Sequence, residues 1–489
     1  MSTTAGTTAR STPEDKLLVQ IASYNTNLQG NAGLPQDLVD WMAPTLKVSN
    51  FLSRGKQAPD IVAVGFQELL PLHFGLSGLS KQMIESRDNL IRSQIEQHAP
   101  NKDRYILVAR IVNRVRDVQT QWTGCGPGYM GNKGAVGVRF RLAGQDNEEG
   151  GETFTFVNAH LTAHAGNLKS RISDYYHIVG TLLFPPPASR PSGMHTTLLD
   201  TSHLFFLGDL NFRLNFPAGD PFVTCRDDLW TALNSDEGRS NLKEYDELLS
   251  ARKRKEVFVG MHEGEFWRFK CTYKYKLREV DRYNEQRTPA WTDRIMFASY
   301  LDPTDNLEKS SINPILYTSI PSYTTSDHKP VVALLLVPTS IFSPSPYSDP
   351  DSATFPSADS PLTDPSKPYI PTLTLNLPHH LSRPSSPTSR RPSSPSSTPI
   401  TPITPNTRFS PSTTYRTPLA DPYWVLKRYT GRTLDRIVGA IWMLIVFVGL
   451  GNTTMGLVNC LLGVIAWRCF GWLGAGTNGG HHESSHFDV

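Results

Sequence analysis

The stretch Leu204-Phe-Phe-Leu-Gly-Asp-Leu-Asn-Phe-Arg-Leu214 sets a pattern that recurs through the first two thirds of the chain. Its apolar first part, residues 204–208, is short and predicts a strand buried in a sheet. Asp209 and Asn211 follow one residue apart where this strand ends, so both side chains can point into the same cleft. Polar side chains just beyond buried strands are typical of active sites on layered α/β scaffolds. The stretch therefore predicts a sheet with a reactive site at its edge.

Seven further apolar runs repeat this pattern on either side, with helix-period segments between them. The predicted strands are residues 17–23, 60–65, 105–111, 134–142, 153–158, 204–208, 294–298 and 331–337, and the predicted helices are residues 79–98, 166–182 and 241–250. The turn-forming residues 144–151 predict a hairpin between two of the strands. So many strands with intermittent helices in one unit favour stacked sheets flanked by helices, an α+β fold.

The composition of this main domain excludes several classes of protein. Residues 1–340 carry 37 basic and 37 acidic side chains, a balance that argues against a dedicated nucleic-acid binder. The five cysteines show no C-x-x-C spacing, which excludes a disulfide scaffold or a cysteine zinc site and fits a reducing compartment. Residues 1–15 are polar, are predicted to be disordered and lack the apolar core of a signal peptide. We therefore expect the domain at residues 16–338 to face the cytosol.

Residues 339–420 form a Pro/Ser/Thr-rich segment, and the part from 341 onward holds 18 of the 38 prolines. It has too few apolar side chains to offset the entropy of ordering, so it is predicted to be a disordered linker. A flexible tether of this length spans roughly 50 Å. Its ten Ser-Pro or Thr-Pro dipeptides are candidate sites for proline-directed kinases, and its prolines are candidate ligands for SH3-type partners. Composition alone also produces such dipeptides.

The C-terminal part predicts a membrane anchor. Residues 437–467 contain no charged side chain, and one straight helix of this length would measure about 46 Å against a hydrocarbon core of ~30 Å. The segment is either a single tilted span or a hairpin, and a short polar tail follows at residues 468–489. The basic juxtamembrane segment, residues 421–436, keeps the preceding chain cytosolic by the positive-inside rule. We expect the endoplasmic reticulum or another endomembrane, because a C-terminal anchor emerges only after translation ends.

Oxygen ligands near strand ends predict a site for Mg²⁺. Glu68 comes soon after the predicted strand 60–65, and Asn25 and Asp327 are further oxygen ligands. Few protein carboxylates are expected at such a site, because Mg²⁺ keeps several waters and takes ligands from a substrate phosphate. His160 and His164 have a spacing that zinc sites also use. They lack a Glu-rich context and the run begins at a strand end, which argues against a zinc site here.

The remaining polar residues complete a hydrolytic constellation. Asp209 could accept a proton from a water that Asn211 orients. His328, with Asp293 to fix its tautomer, could stabilise a phosphorane-like transition state. No cysteine is followed six positions later by an arginine, so a cysteine phosphatase loop is excluded. The set predicts metal-assisted attack of water on a phosphate ester.

Several motifs together resemble the signature blocks of the inositol polyphosphate 5-phosphatases, which belong to the DNase I-like endonuclease/exonuclease/phosphatase superfamily. The blocks are Gln67-Glu68, GNKGAV at 131–136, NAHLTAH at 158–164, GDLNFRL at 208–214, PAWTDRI at 289–295 and SDHKPV at 326–331. The resemblance covers about residues 15–338. It implies a four-layer α/β/β/α sandwich and Mg²⁺-dependent removal of the inositol-ring 5-phosphate.

The resemblance also implies a role for each site residue. Glu68 is the main metal ligand with Asn25 helping, Asp209 activates water, and Asn211 positions it. His160 and His328 contact the scissile phosphate, and Asp293 supports His328. Lys133 and Asn132, in the Gly-Asn-Lys-Gly turn, hold a ring phosphate. The residues that hold the 4-phosphate are Tyr273, Lys274 and Arg287.

Three positions depart from the family pattern. Glu285 stands where the family usually has a lysine, Cys271 where a proline is common, and Thr292 where a cysteine is usual. Glu285 weakens the expected grip on the 4-phosphate, and Lys270 or Lys276 could compensate.

A membrane tether favours a lipid over a soluble inositol phosphate, because it raises the effective concentration of headgroups. We therefore expect PtdIns(4,5)P2 as substrate, with PtdIns(3,4,5)P3 as the alternative. A non-catalytic phosphoinositide-binding scaffold and a superfamily nuclease remain as other classes. The intact hydrolytic set argues against the scaffold, and the neutral domain with its PAWTDRI block argues against the nuclease.

Overall fold

The computed structural model describes residues 16–27, 40, 59–98, 115–143, 151–186, 193–303, 308–339, 373, 420–448 and 465. Within these residues, ten strands form a four-stranded sheet of order β2-β1-β10-β9 and a six-stranded sheet of order β3-β4-β5-β6-β8-β7. The strands are β1 (Lys16–Asn25), β2 (Ile61–Gln67), β3 (Val115–Gly124), β4 (Gly134–Leu142), β5 (Glu152–His160), β6 (His203–Asp209), β7 (His262–Glu263), β8 (Asp293–Ser299), β9 (Asn313–Ser319) and β10 (Val331–Pro338).

Most of the described helices lie in the connections between strands. They are α1 (Leu72–Ser77), α2 (Lys81–His98), α3 (Leu168–Thr181), α4 (Pro221–Thr224), α5 (Arg226–Asn234), α6 (Asp236–Leu242), α7 (Glu247–Lys253) and, beyond the last strand, α8 (Trp424–Val448). A short 3₁₀ turn at Pro127–Tyr129 lies between β3 and β4.

The main core lies between the two sheets. Val19 and Ile21 alternate along β1 and pack in one buried cluster with Phe205 and Leu207 of β6. All four side chains are at most 2% exposed. Burying an aliphatic or aromatic side chain of this size contributes about 1.5–3 kcal/mol, so this interface holds the sheets face to face.

Each sheet carries a helix on its outer face. Tyr175 and Ile178 of α3 pack in a second cluster with Phe206, whose side chain points away from the inter-sheet core. On the other side, Tyr24 of β1 packs in a third cluster with Ile91 of α2. The layers therefore follow the order α/β/β/α, as predicted.

Seven of the eight predicted strands are confirmed to within about two residues at either end. The eighth, residues 105–111, lies outside the described residues. The predicted hairpin is confirmed by the antiparallel pairing of β4 with β5. Three strands, β3, β7 and β9, were not predicted from the sequence; they are edge strands with polar or half-exposed positions and so lack a continuous apolar run.

The prediction of one continuous helix at residues 241–250 is wrong. A 3₁₀ turn at Lys243–Tyr245 ends at Asp246, and a new helix, α7, begins after it. Asp246 has extended backbone angles and its carboxylate accepts a hydrogen bond from Leu249 N at 2.8 Å, so it caps α7. The same carboxylate pairs with Arg294 at 3.0 Å, a long-range contact that helical periodicity cannot reveal.

In the part of the chain that the structure describes, no helix is both long enough and apolar enough to span a bilayer. Helix α8 runs through the predicted juxtamembrane segment and into the first residues of the predicted anchor without a break. Nearly all of the rest of that anchor, the polar tail, the N-terminal residues and nearly all of the linker lie outside the described residues.

Candidate active site

The strand register brings polar residues to one edge of the sandwich. Strands β5 and β6 are parallel and place His160 beside Asp209, whereas β8 runs antiparallel to β6 and places its first residue, Asp293, beside Asp209 as well. In the other sheet, β1 and β2 are parallel and end together at Asn25 and Gln67. Strand β10 is antiparallel to β1 and begins at this edge, so the loop before it also arrives here.

Asp209 lies at the centre of this edge and is 1% exposed. Its Oδ2 accepts a hydrogen bond from Asn25 Nδ2 at 3.0 Å and lies 3.3 Å from His160 Nε2 and 3.9 Å from His328 Nε2. Burial would raise the pKa of Asp209, but His328, His160 and Lys133 together hold it well below its usual range. The carboxylate is therefore ionised at neutral pH.

His328 is held by Asp293 from the opposite side of its ring. Its Nδ1 lies 3.0 Å from Asp293 Oδ2, and the hydroxyls of Thr272 and Thr292 donate to the same oxygen at 2.7 and 2.9 Å. Burial disfavours a charged imidazole, but the Asp293 and Asp209 carboxylates outweigh it and raise the pKa of His328 to about 9. At neutral pH His328 is an imidazolium whose Nε2 faces Asp209.

Asn211 is fixed by three hydrogen bonds. Its N–H donates to Asp209 Oδ1 at 3.1 Å and its Nδ2 donates to Leu161 O at 3.1 Å, while its Oδ1 accepts from Arg213. The Arg213 guanidinium also stacks over the Tyr273 ring at 4.2 Å. Sequence analysis quoted Arg213 inside the GDLNFRL block but gave it no role; the structure shows that it joins Asn211 to the predicted 4-phosphate subsite.

Glu68 and Lys133 line the open side of the site. Glu68 Oε1 lies 3.6 Å from His160 Nε2 and 3.8 Å from Lys133 Nζ, both longer than hydrogen bonds. Lys133 Nζ lies 2.5 Å from His160 Nε2. Burial lowers the pKa of Lys133, and the Asp209 and Glu68 carboxylates oppose that fall. The Glu68 carboxylate is thus close to the network without being tightly engaged.

Two of these residues have strained backbones. Glu68 has φ 50° and Asn211 has φ 58°, in the left-handed region that L-residues rarely adopt. Each such conformation costs about 1–3 kcal/mol and persists where the surroundings impose it. Glu68 follows directly on β2 and Asn211 comes two residues after the end of β6, so the left-handed turn redirects the chain at the edge where the cleft lies.

The predicted metal ligands are only partly brought together. Asn25 and Glu68 both join the network around His160 and Asp209, but Asp327 Oδ2 lies 2.6 Å from Lys274 Nζ instead. The donor set of carboxylate and carboxamide oxygens suits a hard cation, and the loosely held Glu68 carboxylate is available to bind one.

A second group offers ligand atoms at close range. One atom each from Asp209, Asp293 and His328 lies within 4.8 Å of the others. Within this group, Nδ1 of His328 and Oδ2 of Asp293 are already hydrogen-bonded to each other at 3.0 Å.

The predicted 4-phosphate residues lie beside the site. The Tyr273 ring packs 4.7 Å from the His328 ring. Burial would lower the pKa of Lys274, but its hydrogen bond and charge pairing with Asp327 raise it. Arg287 is exposed.

The two lysines expected to compensate for Glu285 are both engaged on the surface. Lys276 pairs with Glu285 itself at 2.7 Å. Lys270 pairs with Asp281 at 2.5 Å and donates to Asn234 at 2.7 Å.

Part of the network around Asp209 lines a cleft of about 680 Å³. Glu68, Lys133 and His160 line it on the catalytic side, and Asn132, whose Oδ1 is buried with no hydrogen-bond partner among the described residues, lies in the same wall. A second wall is apolar and includes Leu70, Leu72, Leu76, Ile84 and Val136. The third wall comes from α8, through Arg432, Asp435 and Arg436, a contribution that the sequence pattern gave no reason to expect.

A buried carboxylate, two imidazoles, a lysine and loosely held oxygen ligands at the edge of a four-layer sandwich define a hydrolytic site for an anionic substrate. Residues 22–334 match the family model described as Endonuclease/Exonuclease/phosphatase family 2. The chain belongs to this family.

Named relatives are consistent with that assignment. Polyphosphatidylinositol phosphatase INP53 of Saccharomyces cerevisiae is 32% identical over 336 residues, which cover 64% of this chain and 26% of the relative. Human phosphatidylinositol polyphosphate 5-phosphatase type IV is 25% identical over 349 residues, covering 67% of this chain and 47% of the relative. This chain thus spans about a quarter to a half of the length of these two relatives.

A solved structure is also similar. The inositol polyphosphate 5-phosphatase domain of SPSYNAPTOJANIN, in complex with inositol (1,4)-bisphosphate and calcium ion, is 23% identical and covers 66% of this chain and 84% of that chain, with a TM-score of 0.47. The named relatives confirm the predicted similarity to the inositol polyphosphate 5-phosphatases. At the level of the family, they also bear out the predicted class, phosphoric monoester hydrolases.

Proposed function

We propose that this chain is a Mg²⁺-dependent phosphoinositide 5-phosphatase that removes the 5-phosphate of PtdIns(4,5)P2 by direct attack of water. The observation that carries the proposal is the buried, ionised Asp209 carboxylate between Asn25, His160 and His328. The names of the relatives, which are phosphatases of phosphatidylinositol phosphates, support it.

Asp209 and Asn211 hold the attacking water. The ionised Asp209 carboxylate accepts a hydrogen bond from the water and takes its proton as the new P–O bond forms and the bond from phosphorus to the inositol 5-oxygen breaks; that oxygen leaves as a hydroxyl after taking a proton from solvent. Asn211 has one amide hydrogen on Leu161 O, and its second amide hydrogen is the donor that orients the water. Because Arg213 holds the Oδ1 of Asn211, the carboxamide cannot flip and lose this donor.

Cationic groups stabilise the phosphate in the transition state. His328, whose raised pKa keeps it protonated, presents Nε2–H to a phosphate oxygen on which charge develops. His160 and Lys133 lie on the other side of Asp209 and can contact the same group. Donors fixed before the reaction need no reorganisation when charge develops, which is the usual source of such stabilisation.

Glu68, with help from Asn25, would hold the metal ion. Mg²⁺ at this position supplies Lewis-acid neutralisation of the phosphate oxygens. Asp327 is not part of this ligand set, because its carboxylate is paired with Lys274 at 2.6 Å.

The catalytic wall and the apolar wall of the cleft together suit a lipid as substrate. The catalytic side is charged, and the facing wall continues on the surface as exposed apolar side chains of α1 and its neighbourhood, Leu72, Phe74, Leu79 and Ile84. A phosphorylated inositol ring suits the first surface and a glycerol backbone with acyl chains suits the second. Lys274, Arg287 and Tyr273 would hold the 4-phosphate, and PtdIns(3,4,5)P3 remains the alternative substrate.

The location follows from the same proposal. A span of about 20 residues within the uncharged segment 437–467 would tether the enzyme to the endoplasmic reticulum or another endomembrane, with residues 1–436 in the cytosol. The linker would let the catalytic domain sample lipid headgroups and would be the part open to proline-directed kinases or SH3-type partners.

The test is phosphate release from a panel of phosphoinositides, soluble inositol phosphates and DNA by the full chain, with Mg²⁺ or with EDTA. We expect release from PtdIns(4,5)P2 with Mg²⁺ and a loss of at least about 1,000-fold in Asp209→Asn, which has nearly the same shape but no charge. Equal slow release by both proteins would favour a binding scaffold. Cleavage of DNA in preference to lipid would favour a nuclease.

A further inference from the structure

Helix α8 forms one wall of the cleft, although it is outside residues 22–334 that match the family. It packs against α1 and the 3₁₀ turn at Pro127–Tyr129 at close range. A Cβ placed on Gly431 would lie 2.0 Å from Tyr129 O, and one placed on Gly439 would lie 2.6 Å from Ser77 N. Only glycine allows this approach at either position.

Polar contacts fix the same helix in one orientation. Asp421, just before α8, donates its N–H to Gly180 O at 2.9 Å. Arg428 donates to Gln121 Oε1 at 2.7 Å and stacks over the Trp122 ring at 4.5 Å. Directional bonds at several points are not expected from a helix that merely covers apolar surface, so α8 is docked in a specific position.

Asp435 makes the contact that bears on the active site. Its two carboxylate oxygens accept hydrogen bonds from Gly131 N at 3.0 and 3.2 Å. Gly131 opens the Gly-Asn-Lys-Gly turn, and two residues further on Lys133 reaches His160 in the catalytic network. A carboxylate therefore occupies a backbone donor next to the site where an anionic substrate binds, and Arg432 and Arg436 of the same helix line the cleft.

We propose that α8 is an autoinhibitory helix that competes with the substrate for the cleft. In the docked state, Asp435 takes the Gly131 N–H and the helix narrows the entrance. Undocking returns this donor to the substrate and opens the wall. The proposal rests on the proposed function for the identity of the substrate. Competition for the cleft, however, can be measured as binding affinity without any turnover.

The experiment uses the full chain in detergent and compares Gly431→Leu and Gly439→Leu with Ala440→Leu. The first two place a side chain where backbone atoms already lie, and the third places the same side chain on the exposed face of the same helix. Asp435→Ala removes the carboxylate without adding bulk. Two quantities are measured: hydrogen exchange of the amides in residues 127–133, and the affinity for inositol 1,4,5-trisphosphate in EDTA, where no turnover occurs.

Relative to the wild type, we expect faster exchange and roughly tenfold tighter binding in both glycine variants, because a site that is free a tenth of the time has a tenfold weaker apparent affinity. Asp435→Ala should also bind more tightly, and Ala440→Leu should match the wild type. Phosphate release from PtdIns(4,5)P2 should rise in parallel with binding.

Faster exchange with unchanged affinity would overturn the proposal, because docking would then not obstruct the cleft. Weaker binding in the glycine variants would also overturn it and would instead make α8 part of the substrate site. Exchange that is equally fast in wild type and variants would mean that α8 is not docked, which also contradicts it. If none of the proteins releases phosphate, the proposed function fails, while binding and exchange still decide the competition.

Discussion

The Nδ1 of His328 lies 3.0 Å from Oδ2 of Asp293, and two threonine hydroxyls donate to that same carboxylate oxygen. The pairing turns Nε2 of the imidazole toward Asp209 and, with Asp209, keeps it protonated. His328, from the loop before β10, thus lies between two carboxylates at the end of the other sheet.

Asp293→Asn should lower kcat about 100-fold or more with little change in KM. The amide keeps the shape of the carboxylate but removes the charge that holds the proton on His328, and stabilisation by a positioned acid is worth about 10²–10⁴-fold. Thr292→Ser, which preserves the hydroxyl, serves as the matched control and should retain most activity. An Asp293→Asn enzyme with wild-type kcat would show that His328 does not act through this pair.

Arg213 is expected to be a positioning residue for Asn211. In Arg213→Lys the ammonium cannot both stack on Tyr273 and reach Asn211 as the planar guanidinium does. We expect kcat to fall about tenfold or more, since misorientation of a water-holding group acts on the chemical step. The control is Arg226→Lys, on the exposed face of α5. A rise in KM with unchanged kcat would assign Arg213 to substrate binding instead.

Glu285→Lys should strengthen recognition of the 4-phosphate. Glu285 is exposed and pairs with Lys276 and Arg282 at 2.7 and 3.3 Å, so its replacement both releases these cations and adds a third. Because solvent screens an exposed charge, we expect only a modest gain, roughly a fivefold lower KM for PtdIns(4,5)P2. PtdIns(3,5)P2, which lacks the 4-phosphate, is the control substrate. An equal gain for both lipids would indicate general attraction to anions.

His177 makes stability sensitive to mildly acidic pH. Its Nε2 donates to Gly124 O at 2.9 Å, and its ring stacks on Tyr129. Burial and then Lys427 lower the pKa of His177, with Asp421 and Asp174 opposing. The folded state therefore favours the neutral ring. Part of the free energy of unfolding is lost as pH falls below about 6.5, the pKa of a histidine in the unfolded chain.

The measurement for His177 is the free energy of unfolding in urea at pH 7.5 and at pH 5.5. The loss between these two values should be smaller in His177→Gln than in the wild type, because the glutamine can still donate to Gly124 O but does not titrate. A larger loss in the variant would contradict the assignment.

The sequence predicts well which residues meet at the edge of the sandwich around Asp209. Polar side chains there come at or just beyond the ends of apolar strands, a pattern that is visible in the sequence. Asp209, Glu68 and Asn25 each lie at or just beyond the end of a buried strand, and parallel pairing brings such ends together. A one-dimensional pattern also detects the inward alternation of β1. It does not detect β9, whose half-exposed edge position leaves few apolar side chains to mark it.

Contacts between distant segments are the part that the sequence could not provide. Asp246 ends one helical turn and caps another while pairing with Arg294, and the helical period in that region gives no sign of this. Likewise, Asp327 looks like a metal ligand beside His328 but is paired with Lys274. The position of α8 depends on glycine contacts across a linker of about 80 residues, which no local rule encodes.

The position of the phosphate that is removed tests most directly whether the chain is a 5-phosphatase. The full chain with Mg²⁺ is given PtdIns(4,5)P2, and the remaining headgroup is identified chromatographically against the monophosphate isomers, with Asp209→Asn as the inactive control. We expect PtdIns4P from the wild type and none above background from Asp209→Asn. Formation of PtdIns5P, or equal product from both proteins, would contradict it.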